Sequence, residues 1–236
     1  MNIGLIGYGK MGQTIEKIAK SRGHVISHII DVTNIGDIEK MNPDNTDAVI
    51  EFTRPEAAYS NIKSCITQGV PVISGTTGWL GQYDELKDYC IEKNGAFLSA
   101  TNFSLGVNIF FKLNEWLSNV MKSHEMYNVS IEEIHHTQKL DEPSGTAITL
   151  AEGIIDNSHK LGWKLGDASK SEIPVTAIRE TDVPGTHTIN YESAIDSIEI
   201  KHTAKTREGF ALGAVLVAEW IKGKTGVFTM NDFINI

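Results

Sequence analysis

A chain of 236 residues with 41% hydrophobic and 22% charged residues has room for one large domain or two modest ones, and that balance excludes a disordered or low-complexity protein. The formal charge of -9 argues against a nucleic-acid backbone as the main partner, because phosphate binding calls for clustered Lys and Arg. An anionic small molecule would need local cations instead. No apolar run approaches the roughly 20 residues that cross a bilayer, and no charged-then-apolar leader precedes the first strand. A cytoplasmic protein without a membrane partner is expected. Cys65 and Cys90 lie in helical patterns outside any Cys-x-x-Cys spacing, so both read as reduced core thiols.

The first hundred residues alternate short apolar runs with amphipathic stretches, the pattern of a parallel sheet covered by helices. Strands are predicted at 2–6, 25–31, 48–52, 70–74 and 96–99, with helices at 10–22, 55–68 and 83–94. The polar link from 31 to 47, with Asn34, Gly36, Asn42 and Pro43, reads as a loop with a short helix. Gly7-Tyr8-Gly9-Lys10-Met11-Gly12 follows the first strand and opens a helix, which is the setting of a dinucleotide-binding turn. There Gly7 permits the tight turn, Gly9 lets the backbone approach a pyrophosphate, and Gly12 permits close helix–strand contact.

Asp31 ends the second strand, where that motif expects an acid for the adenosine ribose hydroxyls; it could also cap the next turn. Val32, Thr33 and Asn34 follow without a cation for a 2′-phosphate, which favours NADH over NADPH. Two more loops, Gly75-Thr76-Thr77-Gly78 and Ala100-Thr101-Asn102-Phe103-Ser104, sit at the carboxyl ends of predicted strands, where ligands bind in open α/β sheets. Alone, each reads equally well as an ordinary turn.

After Asn102 the pattern changes. A helix over 106–121 carries Ile109, Leu113, Trp116, Leu117 and Val120 at helical spacing. Residues 127–136 then alternate as a strand, so Val129, Ile131, Glu133 and His135 share one face while His136 faces the other way. The segment from Glu133 to Ala147 crowds proton carriers beside an anion-binding turn. Histidine is the side chain whose ordinary titration falls near neutral pH, which makes His135 and His136 candidate proton carriers, and Lys139 adds a cation that crowding could turn into a proton donor. Pro143 can close the loop and Ser144 can cap a helix over 144–157, leaving the N–H groups of Gly145 and Thr146 for a carboxylate or phosphate.

A Gly- and Lys-containing loop follows, then strands at 175–179, 187–192 and 195–202, the last two joined by a tight Ser193-Ala194 connection that suggests a hairpin. Helical periodicity returns over 209–221, through Phe210, Leu212, Ala214, Val215, Val217, Ala218 and Trp220. The expected organisation is a Rossmann-like parallel-sheet domain at 1–102 plus 209–236, with an inserted α+β domain on a mixed sheet at 103–208. His24, His28, His124, His159 and His202 default to structural roles. Zinc is the other sharp reading of the histidines, but the nearby carboxylates lack a ligand spacing and no His-Glu-x-x-His occurs, so no metal is expected.

Together these residues resemble the 4-hydroxy-tetrahydrodipicolinate (dihydrodipicolinate) reductase family of diaminopimelate and lysine biosynthesis. The resemblance spans nearly the whole chain. It rests on the turn from Gly7 to Gly12, the Gly75-Thr76-Thr77-Gly78 loop, the Asn102-Phe103-Ser104-x-Gly106-Val107-Asn108 run, and above all Glu133-x-His135-His136-x-x-Lys139-x-Asp141-x-Pro143-Ser144-Gly145-Thr146-Ala147. Arg207-x-x-Phe210-Ala211-x-Gly213-Ala214 and Gly226-x-x-x-Met230 add to it.

The resemblance implies His135 as catalytic acid/base, Lys139 as proton donor, and His136 with Ser144, Gly145 and Thr146 as binders of a small dicarboxylate substrate. It implies cofactor contacts at Gly7 to Gly12, Asp31, Gly75, Thr76, Thr77 and Ala100 to Phe103. Hydride from the nicotinamide would reach a conjugated cyclic imine, with loss of water from the 4-hydroxyl beforehand. A homotetramer built by sheets of the inserted domain is also implied, with edge strands such as 187–192 as contacts. The chain departs from the family pattern at Glu142, where Ala is usual, at Glu180-Thr181 in place of Gly-Gly, and in a first turn one residue shorter. Two alternatives remain: another nicotinamide-dependent reductase of an amino-acid-derived acid, and a non-catalytic dinucleotide sensor, which would have no need of both His135 and Lys139.

Overall fold

The computed structural model describes residues 1–206 and 208–235, so Arg207 of the sequence motif lies outside the described residues. In chain order the elements are β1 (Asn2–Ile6), α1 (Lys10–Ser21), β2 (Val25–Ile30), β3 (Ala48–Glu51), α2 (Pro55–Thr67), β4 (Val72–Ser74), α3 (Tyr83–Glu92), β5 (Ala96–Ser99), α4 (Leu105–Met121) and β6 (Asn128–His135). They continue with α5 (Gly145–Asp156), β7 (Gly162–Leu165), β8 (Glu172–Arg179), β9 (Thr186–Glu192), β10 (Ser197–Thr203), α6 (Glu208–Ile221), β11 (Gly226–Phe228) and α7 (Met230–Ile234). A short 3-10 helix, Ile35–Lys40, occupies the polar link after β2. The chain divides into two compact units, Met1–Leu105 with Glu208–Ile236, and Gly106–Arg207.

Among the described residues, the first unit holds a six-stranded sheet in the order β11-β5-β4-β3-β1-β2, every pair parallel. Strands buried on both faces read as continuous apolar runs, which is why Ile3, Leu5 and Ile6 are all fully buried. Ile3 and Leu5 pack with Ile15 and Ala19 of α1 and with Ala214, Val215 and Ala218 of α6. Ile6 and Val49 turn to the opposite face, against Ala58 and Ile62 of α2 and Leu86 of α3. The sheet is therefore covered on both sides, a doubly wound arrangement. Cys65 and Cys90 are free thiols buried in the second of these layers.

β11 escaped the sequence reading. It is three residues long and pairs only with β5 among the described strands, too brief for any periodicity.

The second unit carries a mixed sheet in the order β10-β9-β6-β8-β7, in which β6 runs parallel to β8 and antiparallel to β9. Val129, Ile131, Val175 and Ile189 face Phe110 and Leu117 of α4 and Leu150 and Ile154 of α5. Alternation along β6 buries Val129, Ile131, Glu133 and His135 together, the face anticipated from spacing.

Four expectations here need correction. The loop after α5 contains a strand, β7, hidden because it begins at a glycine and leaves Lys164 and Leu165 exposed against a single partner, β8. β8 starts three residues earlier than predicted, since Pro174, which reads as a strand breaker, is paired opposite Lys164. Strand 187–192 is not an edge: β9 lies between β10 and β6, and the edges are β10 and β7. The β9–β10 hairpin is present, but residues 193–196 make the turn and pairing resumes at Ser197, because Ser193 Oγ accepts from the N–H groups of Ile195 and Asp196.

Helix α4 keeps its predicted period with a different inward face. Val107, Phe110, Asn114, Leu117, Ser118 and Met121 are buried, whereas Ile109, Leu113, Trp116 and Val120 are exposed.

Candidate active site

In the first unit the carboxyl ends of the parallel strands β1, β4 and β5 carry the three loops singled out from sequence. Gly7 has φ +93°, and a Cβ there would stand 2.0 Å from the Phe52 carbonyl oxygen, so neither the conformation nor the space admits a side chain. Gly12 closes the turn from the helix side, where a Cβ would meet the Gly7 carbonyl oxygen at 2.2 Å. Gly9 differs: it caps α1, and a Cβ there meets nothing within 4 Å among the described residues. Tight backbone at Gly7 and Gly12 with open space at Gly9 is the arrangement a pyrophosphate needs over a helix N-terminus, so these residues fit a dinucleotide.

The neighbouring residues divide. Lys10 and Met11 open α1, exposed and half-buried, while the Tyr8 hydroxyl donates to Glu16. Asp31, exposed just past β2, accepts from Thr33 N–H at 2.7 Å and the Thr33 hydroxyl at 2.6 Å, and that hydroxyl leads in holding its carboxyl below the usual range. Gly75 is required because the Phe52 ring fills the place of a Cβ. Thr77 and Thr101 are exposed, Ala100 and Asn102 half-buried, and Phe103 is buried beside Phe52 at a ring separation of 5.9 Å. The Thr76 hydroxyl is committed to the scaffold, donating to Glu51 at 2.9 Å and accepting from Thr53 N–H at 2.7 Å. Glu51, fully buried at the end of β3, also receives the hydroxyls of Ser74 and Thr53 and so ties the ends of β3 and β4 together. Nothing in the sequence reading marked it.

In the second unit, β6 delivers Glu133 and His135 to one buried cluster. Glu133 is 0% exposed, and its two oxygens accept the Ser144 N–H at 3.0 and 3.1 Å. Arg179 Nη1, from β8, donates to Glu133 Oε1 at 3.3 Å. Two imidazoles approach the other oxygen: His135 Nδ1 at 3.6 Å and His187 Nε2, from β9, at 3.7 Å. The rings of His135 and His187 meet edge to face at 5.0 Å.

Burial works against the Glu133 charge, yet His187, Ser144 and His135 hold its carboxyl down to about 2. For His135, burial pushes the imidazolium down to about 4; Glu133 opposes this, and His187, Lys139 and Arg179 add to it. His135 is therefore neutral at pH 7. Ligand atoms of Glu133, His135 and His187 lie within 4.8 Å of one another, a grouping that could be read as a metal site. Arg179 and the Ser144 N–H already engage the Glu133 carboxylate.

Arg179 also shapes the loop after β6. Nε donates to the Lys139 carbonyl at 3.3 Å and Nη2 to the Asp141 carbonyl at 2.7 Å. Within that loop the Lys139 ammonium chelates both Asp141 oxygens at 2.8 Å. Ser144 caps α5, its hydroxyl accepting from Ala147 N–H at 3.2 Å and meeting His187 Nε2 at 3.1 Å. Gly145 is exposed and Thr146 half-buried in the first turn, where helix N–H groups lack intrahelical partners.

His136, the residue just past the end of β6, lines a cleft of about 340 Å³ with Thr137, Gln138 and the loop 181–184. That loop includes the Thr181 of the departure noted from sequence. The structure thus joins His135 to Ser144 through Glu133 and leaves His136 on a separate wall. Glu133 could be found by alternation along β6; Arg179 and His187 come from strands distant in sequence and had no local signal.

A doubly wound unit with a Gly-rich dinucleotide turn, and a mixed-sheet unit holding a buried acid–base cluster beside a helix N-terminus, define a nicotinamide-dinucleotide oxidoreductase. Within that class the chain belongs to the dihydrodipicolinate reductase family, whose N-terminal part matches residues 1–103 and whose C-terminal part matches residues 106–234. A 4-hydroxy-tetrahydrodipicolinate reductase from Christiangramia forsetii is 55% identical over 100% of this chain and 98% of its own length. One from Archaeoglobus fulgidus is 34% identical over 96% of both chains. Among solved structures, a dipicolinate-bound dihydrodipicolinate reductase from Paenisporosarcina sp. TG-14 shares the fold with a TM-score of 0.78 at 21% identity, covering 100% of this chain and 99% of that one.

Proposed function

We infer that this protein reduces 4-hydroxy-tetrahydrodipicolinate to tetrahydrodipicolinate, with loss of water, in diaminopimelate and lysine biosynthesis. The observation that carries the reading is the buried His135–Glu133 pair joined to the capped N-terminus of α5, in a chain of this family. Bound NADH or NADPH supplies the hydride. Gly7, Tyr8, Gly9, Lys10, Met11 and Gly12 would hold it, with Asp31 on the adenosine ribose and Gly75, Thr76, Thr77 and Ala100 to Phe103 along its length. For Thr76 and Phe103 this contact runs through backbone, since their side chains are engaged in the scaffold.

Residues of the second unit handle charge and proton. His136, Ser144, Gly145 and Thr146 bind the carboxylates of a small dicarboxylate substrate, the helix N–H groups and the positive end of α5 favouring an anion. Because His135 is neutral at pH 7, Lys139 is the proton donor, and it must leave Asp141 to act. His135, neutral before reaction, serves as the acid/base of the site. The first unit is accordingly the dinucleotide domain and the inserted unit the substrate and oligomerisation domain. A homotetramer fits the exposed apolar stripe Ile109, Leu113, Trp116 and Val120 on α4.

The assay is oxidation of NADH or NADPH by the purified protein, given the product of dihydrodipicolinate synthase. Turnover is expected, with kcat/KM higher for NADH because Asp31 meets the ribose and no cation follows it. No turnover with either cofactor overturns the activity; a strong NADPH preference overturns the cofactor assignment alone.

A further inference from the structure

We propose that Glu133 and His187 are positioning residues that set the tautomer and basicity of His135, Glu133 holding a proton on Nδ1 and His187 competing for the same carboxylate oxygen. The proposal rests on His135 being the acid/base of the site and adds two residues to it.

Geometry carries the argument. His135 Nδ1 is buried and has no hydrogen-bond partner among the described residues; the nearest carboxylate oxygen is Glu133 Oε2 at 3.6 Å. Such contacts in ligand-free sites tighten when charge develops. With a carboxylate on the Nδ1 side, the proton of the neutral ring resides there, and Nε2 becomes the atom that exchanges a proton at the site. Nε2 lies beside Gly185, where even a Cβ would stand 3.1 Å away, so the glycine leaves that edge uncovered.

His187 Nε2 reaches the same Oε2 at 3.7 Å and the Ser144 hydroxyl at 3.1 Å, and it is buried. One carboxylate oxygen thus faces two imidazoles, while Arg179 holds the other oxygen. A proton gained by either ring raises the cost of a proton on its neighbour 5.0 Å away. The charged and titratable groups facing His135 are Glu133 of β6, His187 of β9, Arg179 of β8 and Lys139 of the loop. Glu133 is the sole anion of this group, so its removal and that of His187 must act in opposite directions.

Carbon-13 and nitrogen-15 NMR of the histidine rings reads proton affinity and tautomer in the intact protein without turnover, with His135→Gln identifying the resonance. The wild-type ring is expected as the Nδ1–H tautomer with a midpoint near about 4. Glu133→Gln should leave His135 neutral at that pH and abolish the tautomer preference, whereas His187→Gln should raise the midpoint by about half a unit or more. Glu133→Asp, which keeps the charge, should restore the tautomer. Midpoints unmoved in both variants, or moved in the same direction, overturn the proposal, as does a wild-type ring protonated on Nε2. Should Glu133→Gln fail to fold, His187→Gln decides: an upward shift supports the proposal and none overturns it. Absence of 4-hydroxy-tetrahydrodipicolinate reduction by the wild type would overturn the proposed activity instead, leaving these midpoints to judge the coupling.

Discussion

Arg179 grips Asp141 by its main chain, Nη2 donating to the carbonyl oxygen at 2.7 Å, while the Asp141 side chain chelates Lys139. The same guanidinium reaches the Lys139 carbonyl and Glu133, so one planar fork binds the acid–base loop to the buried carboxylate. A lysine ammonium cannot span these acceptors. Arg179→Lys should lower kcat by about 10- to 100-fold through misplacement of Lys139, with cofactor affinity unchanged. It should also cost roughly 1–3 kcal/mol of stability by weakening the cover on Glu133. Steady-state kinetics and urea unfolding check both; wild-type kcat would show that the fork does not place the loop.

Lys139→Ala removes the proposed proton donor and the ammonium that the Asp141 carboxylate chelates. Turnover should fall by about 10²-fold or more, the usual weight of a positioned proton donor, while the dissociation constant for NADH stays near wild type. Equal loss of cofactor binding, measured by fluorescence titration, would place Lys139 on the wrong ligand.

Two glycines of the first turn should respond oppositely to alanine. At Gly12 the new Cβ would overlap the Gly7 carbonyl, so Gly12→Ala should lower the melting temperature markedly. At Gly9 the Cβ enters open space, so Gly9→Ala should keep the melting temperature and weaken NADH binding by about tenfold or more, because the methyl occupies ground a pyrophosphate needs. Unchanged NADH affinity in Gly9→Ala would sink that use of the turn.

Acid should destabilise the fold in two overlapping stages. His135 has a folded value near about 4, below its ordinary 6.5, so the unfolded chain binds the proton more readily. Its burial therefore costs stability as pH falls from 6.5 to 4, on the order of 3 kcal/mol at most. Glu133, held down to about 2 from 4.5, contributes stability that is present above 4.5 and lost as pH falls from there toward 2. Urea unfolding at pH 7, 5.5 and 4 should show the first loss in the wild type and a much flatter dependence in His135→Gln. An equally steep dependence in that variant would assign the loss to other groups.

The strands β1 to β5 were legible because a parallel sheet buried on both faces writes itself as uninterrupted apolar runs. β7 and β11 were not, since each is short and rests on one neighbour, leaving half of its surface polar or open. On α4 the period was readable but the inward face was not: the helix carries apolar residues on two sides, and only the stripe through Phe110 and Leu117 meets the sheet. At the site, the motif from Glu133 to Ala147 revealed His135, Lys139 and the Ser144 cap. The commitment of the Thr76 hydroxyl to internal hydrogen bonds was hidden, since a hydroxyl in a polar turn looks the same whether it serves a ligand or the scaffold.

By itself the sequence determined what local chemistry and short periodicity can encode: a dinucleotide turn after the first strand, the separation of His135 from His136 by strand alternation, and a capped helix ready for an anion. Tertiary structure alone decided which distant groups complete them. Arg179 and His187 become partners of Glu133 because β8 and β9 flank β6 in the sheet, one parallel and one antiparallel. Strand order fixes the charges around a buried carboxylate, and strand order follows from packing a whole sheet, which no window of sequence contains.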